Sequence, residues 1–213
     1  MKTKNYKFGE AVRTLAADAG MQPYRFTKQD DEKQNRWKIY NAILEKYTNF
    51  CHEELISEKY PEVIEYLNKR KMTNKEIIFF KIGYSPNKND FFEELKKEFN
   101  EKQISYSGIY YFDENKKKYN DRFRDRIIFP VQSLNGSVFA LGGRALSKTT
   151  FAKYINSPET EFYKKGNNLY NINSAKESRD KNNEAFIVEG YIDVVNLHKF
   201  GIQNVVALSL IHI

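Results

Sequence analysis

Ala185-Phe186-Ile187-Val188-Glu189-Gly190-Tyr191-Ile192-Asp193-Val194 places a lone carboxylate where an apolar strand hands over to a helix. In an open α/β sheet that handover is where ligands bind, at the carboxyl ends of the strands. The residues before Glu189 are all apolar, the pattern of a strand covered on both faces. Gly190 permits a tight turn. Val194, Val195, Leu197 and His198 then fall at helical spacing until Gly201 supplies a stop, and Gln203 to Leu208 resumes as a second apolar strand. The unit predicts a parallel strand, helix, strand crossover with an acid at its mouth. An ordinary crossover whose glutamate caps a helix has the same pattern.

Working outward, the 213 residues suffice for one or two domains, and 40% hydrophobic with 30% charged is a globular balance. No apolar run reaches the roughly 20 residues that span a bilayer, and the lysine-dotted N-terminus lacks the apolar block of a secretory signal, which predicts a cytoplasmic protein without membrane contact. The single cysteine, Cys51, excludes an internal disulfide and a Cys-rich zinc site, and is expected to be half-buried on a helix. Thirty-five basic against 28 acidic residues give a net charge of +7, which favours a polyanionic partner without proving one.

The first half reads as helical. Val12, Leu15, Ala16 and Ala19 make one face of a short helix from Phe8 to Met21, with Gly20 as its stop. Phe26 to Asn35 is polar and reads as a linker, after which Trp37, Tyr40, Leu44, Tyr47, Phe50, Cys51 and Leu55 share a face of a helix from about Arg36 to Ile56. Pro61 opens another, with Ile64 and Leu67 facing inward. Thr73-Asn74-Lys75-Glu76 is a capping box, and Ile82-Gly83-Tyr84-Ser85-Pro86 breaks the helix that it starts. Asp90 caps a last helix through Phe99. From Ile109 short strands take over, with Asp113 to Asn120 as a turn or loop. Asn135-Gly136 marks a hairpin between Arg126–Gln132 and Val138–Gly142, and Pro130 demotes its strand to an edge or a bulge.

Between hairpin and crossover lie the cations. If Asp121-Arg122-Phe123-Arg124-Asp125-Arg126 is extended, Arg122, Arg124 and Arg126 share one face, where they repel unless an anion satisfies them or Asp121, Asp125 and nearby acids neutralise them. Gly142-Gly143-Arg144, Lys153-Tyr154-Ile155-Asn156-Ser157-Pro158-Glu159-Thr160 and Lys164-Lys165-Gly166 follow. Glycines beside cations allow backbone N–H groups and side chains to approach phosphate together.

Taken in order, Tyr66-Leu67, Ile82-Gly83-Tyr84-Ser85-Pro86, Asp121 to Pro130, Gly142-Gly143-Arg144, Tyr154 to Thr160 and Glu189 to Val194 resemble the bacterial replicative DNA primase of the DnaG type, over about Phe8 to Ala207. The resemblance implies an α/β chain: an α+β N-terminal subdomain followed by an incomplete Toprim α/β domain. Residues 1–105 would be its mostly helical part, 106–180 a basic strand and loop region, and 181–213 the start of the Toprim domain. It implies synthesis of short RNA primers on a single-stranded DNA template. Glu189, as metal ligand or general base, and Asp193 would be the catalytic acids, with Mg2+ or Mn2+ as cofactor. Arg122, Arg124, Arg144, Lys153, Asn156 and Lys165 would hold template and nucleotide.

The implied partners are single-stranded DNA, ribonucleoside triphosphates, the RNA/DNA hybrid, and the replicative helicase through a further C-terminal domain. The chain is expected to be monomeric. Zn2+ would belong only to a domain preceding Met1. The family's Gly-Thr turn and Asp-x-Asp pair are not found after Ala207. Leu208-Ser209-Leu210-Ile211-His212-Ile213 match the translation of a transposase adapter end and are set apart as a candidate artefact. With one glutamate and one neighbouring aspartate, the chain as written is expected to bind nucleic acid weakly, to make no primers, and to be unstable over its last 25 or so residues. Two other readings fit parts of the sequence: a non-catalytic single-strand binding module, and a Toprim nuclease or topoisomerase.

Overall fold

A computed structural model of the chain describes residues 8–21, 27–88, 90–146, 152–178 and 184–208. Met1 to Lys7, Ser147 to Phe151 and Ser209 to Ile213 lie outside the described residues, and with them most of the candidate adapter-derived tail. The chain forms an α/β fold with two compact units, Met1–Lys38 and Ile39–Ile213.

In the first unit, α1 (Phe8–Asp18) ends before Gly20, whose φ of +68° provides the left-handed stop. Its expected apolar face is only partly covered: Val12 and Ala16 are half-buried, whereas Leu15 is exposed. The second helix, α2 (Lys28–Ile56), starts eight residues earlier than expected, so most of the proposed linker is helical. The overlooked signal is a reciprocal cap. The Thr27 amide donates to Asp30 Oδ2 at 2.8 Å and the Asp30 amide to Thr27 Oγ1 at 3.3 Å. An all-polar run lacks hydrophobic periodicity but not helix propensity, so its cap was the only local clue.

In the second unit, Tyr40, Ile43, Leu44, Tyr47, Cys51 and Leu55 of α2 are buried, with Cys51 fully enclosed and not half-exposed. Burial pushes the Cys51 thiol up and the Asp121 carboxylate adds to this, while hydrogen bonding to Tyr47 and Ser85 opposes it. Pro61 opens α3 (Pro61–Lys69), which buries Val63 and Leu67 while Ile64 is only half-covered. The Thr73 capping box forms as read and starts α4 (Asn74–Phe79). Gly83–Ser85 forms a strand, β1. The Asp90 helix ends early: α5 (Phe91–Lys96) is followed by α6 (Glu101–Tyr106), because Asn100 makes its own reciprocal cap with Gln103.

A hairpin, β2 (Tyr110–Asp113) with β3 (Lys118–Asp121), precedes a four-stranded antiparallel sheet. That sheet contains β4 (Arg126–Gln132), β5 (Val138–Ala145) and β6 (Tyr154–Asn156) in the order β1-β4-β5-β6. Strand β4 is interior, but β1 reaches only from Arg126 to Ile128, and the register shifts between Val131 and Gln132. Pro130 therefore sits where β4 is locally an edge. Helix α2 anchors β5: Tyr40 Oη donates to the Phe139 carbonyl at 2.7 Å, Asn41 Nδ2 to that of Val138 at 2.6 Å, and the Val138 amide to Glu45 Oε1 at 2.9 Å.

The crossover has the expected topology: β8 (Phe186–Val188) runs parallel to β9 (Val205–Leu208), joined by α8 (Tyr191–Lys199), which Gly190 caps and Gly201 stops. The surroundings differ from the expectation. Phe186 and Ile187 are 50% and 64% exposed, because β8 is an edge strand in the order β7-β9-β8. Strand β9 is the central one. Its other side is taken by β7 (Leu169–Tyr170), an antiparallel partner from upstream of α7 (Ile172–Glu177).

Two measurements check this packing. A Cβ at Gly83 would lie 2.6 Å from the Cys51 carbonyl carbon, backbone that cannot retreat, whereas one at Gly166 meets nothing within 4 Å. Gly83→Ala is expected to cost about 3 kcal/mol in urea unfolding, and Gly166→Ala to be near neutral. His198 of α8 lies 4.4 Å from the Phe79 ring and 5.0 Å from that of Phe80. Burial lowers its pKa below 6.5, and Lys75 adds to this while Glu76 opposes it. A depressed base resists charging only when folded, so its contribution is intact above pH 6.5 and is lost as pH falls through the folded value. Thermal unfolding is expected to soften below that pH, and His198→Phe to flatten this part of the profile.

Candidate nucleic-acid interface

Residues 122–125 do not continue the strand. They form a turn between β3 and β4, and Asp125 takes the left-handed conformation with φ of +59°. The extended arrangement expected for the three arginines is overturned, because Phe123 must bury its ring and the chain must reverse to pair with β1. The turn nevertheless brings the same side chains together. Arg122, Arg124 and Arg126 line one depression of about 650 Å3, with Asn87, Tyr111, Asp125, Tyr154, Ile155 and Asn156.

The hydrogen bonds of these guanidiniums go to neutral oxygens. Arg122 Nε donates to the Gly108 carbonyl at 2.8 Å and its guanidinium lies 5.4 Å from the Tyr111 ring centre. Arg124 donates to the Asp121 carbonyl at 3.1 Å and to Tyr111 Oη at 3.4 Å, and Arg126 to the Lys153 carbonyl at 3.4 Å. The carboxylates expected to neutralise them take hydroxyl donors instead: Asp121 from Tyr47 and Ser85, Asp125 from Tyr84 at 2.8 Å. Burial lowers the Arg126 pKa, Asp125 opposes that shift, and Arg124 adds to it. Positive charge is thus gathered in one concavity, the condition that attracts an anion.

Behind the depression, Arg144 is 5% exposed and so does not form part of the open surface as expected. Its guanidinium carbon lies 4.7 Å from the Tyr66 ring and 5.1 Å from that of Tyr154, and Nη1 donates to Tyr154 Oη at 2.7 Å. Arg70 approaches the other ring of the pair, 5.7 Å from Tyr66. Exposed Lys153 lies with Nζ 6.0 Å from the Tyr154 ring. Gly142 and Gly143 do not free their backbone for phosphate, since both are paired within β5 to β4 and β6. Their missing side chains serve packing: a Cβ would come 2.2 Å from Tyr191 at one position and 2.7 Å from Phe123 at the next.

Asn156 Oδ1 accepts from Tyr191 Oη at 3.0 Å, which ties β6 to the first residue of α8. Lys165 sits on a 3-10 turn (Lys165–Asn167) and its amide donates to Glu159 Oε1 at 3.1 Å. Burial lowers its pKa while Glu159 opposes this, and the neighbouring Lys164 pairs with Glu159 at 3.7 Å. Lys165 and Glu189 are not among the residues that line the depression.

Glu189 is exposed immediately after β8, and Asp193 is exposed in the first turn of α8. The pKa of Tyr154 is raised, first by burial and then by Tyr66 and Asp193, against the cations Arg144 and Arg70. Asp193 is therefore within electrostatic reach of the basic cluster. Among the described residues no three His, Cys, Asp or Glu side chains converge into a metal cage, so a complete metal site does not fit Glu189 and Asp193 alone. Tyr111 and Asn87 were not foreseen. Nothing local marks Tyr111, which reaches the depression through its pairing with Asn120.

Residues 50–176 match the family described as DNA primase catalytic core, N-terminal domain. The DNA primase of Clostridium acetobutylicum is 37% identical over 97% of this chain, which covers 34% of that relative. A DnaG primase catalytic domain solved bound to single-stranded DNA superposes with a TM-score of 0.74 at 30% identity, covering 84% of this chain and 57% of that one. The RNA polymerase domain of Mycobacterium tuberculosis primase DnaG, solved with double-stranded DNA, gives 0.76 at 28%, with 82% and 56% covered. The chain spans about a third of the length of the curated relatives it matches. On the family match and these likenesses, the chain belongs to the bacterial DNA primases of the DnaG type, through the N-terminal domain of their catalytic core.

Proposed function

We propose that this chain is the template-holding part of a primase that joins ribonucleoside triphosphates into short RNA primers on single-stranded DNA. The observation that carries the reading is the arginine turn. Arg122, Arg124 and Arg126 share one depression with Asn156, Tyr111 and Tyr154, and their hydrogen bonds go to carbonyl and hydroxyl oxygens. Guanidiniums bind phosphate through their planar fork while tyrosine faces accept bases, the combination that suits a single strand. The relative solved with single-stranded DNA supports this choice of ligand.

Within the same reading Lys153 and Lys165 are flanking phosphate contacts. Arg144 acts behind Tyr154 by stacking. Glu189 and Asp193 are the acids given to nucleotidyl transfer, oxygen ligands of the type that Mg2+ or Mn2+ prefers. Two carboxylates alone would not cage either ion, so further oxygen ligands would have to complete such a site. The RNA/DNA hybrid would leave along the same cations, which read backbone and not sequence. No described helix is long and apolar enough to cross a membrane.

The division of labour is tested by fluorescence anisotropy with a labelled single-stranded oligonucleotide. Arg124→Ala is expected to weaken binding about fivefold and to reduce the slope of log K against log salt by about 0.7, one phosphate contact. Glu189→Gln is expected to leave both unchanged within twofold. Equal losses in the two variants would sink the assignment of Glu189 to chemistry and Arg124 to binding.

A further inference from the structure

The arginine turn has an unusual foundation. Asp121, the last residue of β3, is 7% exposed, yet it carries a carboxylate. Burying an unpaired carboxylate costs several kcal/mol, so its partners must be numerous. Tyr47 Oη from α2 donates to both carboxylate oxygens, at 2.9 and 2.8 Å. Ser85 Oγ from β1 donates at 2.7 Å, and the Phe123 amide at 2.6 Å. One side chain therefore joins a helix, a strand and the turn itself.

The bond to the Phe123 amide closes an Asx turn, the local device by which an aspartate replaces regular backbone pairing two residues on. That closure decides which way the next three side chains go. Phe123 is driven under the sheet, fully buried against Gly143. Arg122 and Arg124, on either side of it, are left to line the depression. The Asp121 carbonyl then receives Arg124 at 3.1 Å, and the Asp125 amide returns to the Ser85 carbonyl at 2.7 Å. Ser85 thus holds both ends of the turn, one through its hydroxyl and one through its carbonyl.

We propose that Asp121 is a positioning residue for template binding, which orients Arg122 and Arg124 by clamping the turn beneath them to Tyr47 and Ser85. The role rests on the reading of the depression as the template site. It differs from the neutralising role that the sequence suggests, because the carboxylate is spent on hydroxyl and amide donors. It also differs from a role in core stability alone: a volume-matched amide would fill the same space but would present an N–H2 group to donors that need an acceptor.

The test uses Asp121→Asn and the milder Ser85→Ala in the full chain, with three readouts: amide hydrogen exchange by segment, thermal unfolding, and affinity for the single-stranded oligonucleotide against salt. Clamping predicts exchange about tenfold faster at residues 122–125 with the amides of α2 and β5 as in wild type, and affinity lowered about fivefold, with the smaller change in Ser85→Ala. Wild-type exchange at the turn in a folded Asp121→Asn would overturn the proposal, and so would exchange raised uniformly across all elements, the mark of a merely structural residue. Should Asp121→Asn not fold, Ser85→Ala decides by the same two criteria. Faster exchange confined to the turn with unchanged affinity would uphold Asp121 as the clamp and overturn instead the template-site reading.

Discussion

Two adjacent positions in β5 without side chains hold the architecture together. Successive residues of a strand face opposite sides of the sheet, so Gly142 opens a hollow on one face and Gly143 on the other. Tyr191 of α8 fills the first and Phe123 of the arginine turn the second. Neither ring would reach the backbone past even one methyl group. The crossover that bears the acids and the turn that bears the cations are thus seated on the same two residues of one strand, from opposite sides. Close packing makes this arrangement intolerant of small changes, since protein interiors have no spare volume into which a displaced ring could move.

Charge is distributed by the same economy of contacts. Four cations, Arg70, Arg122, Arg124 and Arg144, are arranged around Tyr66, Tyr111 and Tyr154, whose rings and hydroxyls accept them without cancelling their charge. The nearby carboxylates Asp121 and Asp125 serve as acceptors for Tyr47, Ser85 and Tyr84. Had these acids paired with the arginines, the depression would be close to neutral and weakly attractive to phosphate. Tyrosine in place of aspartate as the partner of these arginines keeps the side chains ordered without neutralising them.

Features set by neighbouring residues were legible in the sequence. The Thr73 capping box, Pro61 at a first turn, the Asn135-Gly136 hairpin and the crossover with Gly201 as its stop all depend on a few consecutive side chains. What depended on distant partners was not legible. An apolar strand predicts burial on both faces, but β8 lies at the sheet edge because β7 arrives from far upstream to flank β9. The Asp121 to Arg126 run has the alternation of a strand, yet Ser85 and Tyr47, 36 and 74 residues away, bend it into a turn. The glycines beside Arg144 suggest phosphate contact in one dimension and prove to be packing hollows in three. Of the expected contacts, Arg122, Arg124 and Asn156 line the depression despite the wrong local conformation, because buried Phe123 leaves the arginines on either side of it outside, whereas Arg144, Lys153 and Lys165 do not line it.

The link between cations and acids runs through one hydroxyl. Tyr191 stands two residues after Glu189 and opens α8, its ring is held by Gly142 and by Phe129 at 5.6 Å, and its Oη donates to Asn156 in the lining of the depression. Asn156 in turn belongs to β6, which pairs with β5 opposite Gly142. The loop that carries Glu189 is therefore constrained at one end by a helix whose first side chain is locked to the basic surface, while β8 at its other end is an exposed edge. A glutamate held in this way has its distance from the basic depression constrained through Tyr191 and Asn156, and its remaining freedom lies on the side of the sheet edge. The asymmetry ties one flank of Glu189 to the lining of the depression through Tyr191 and Asn156 and leaves its other flank open at the sheet edge.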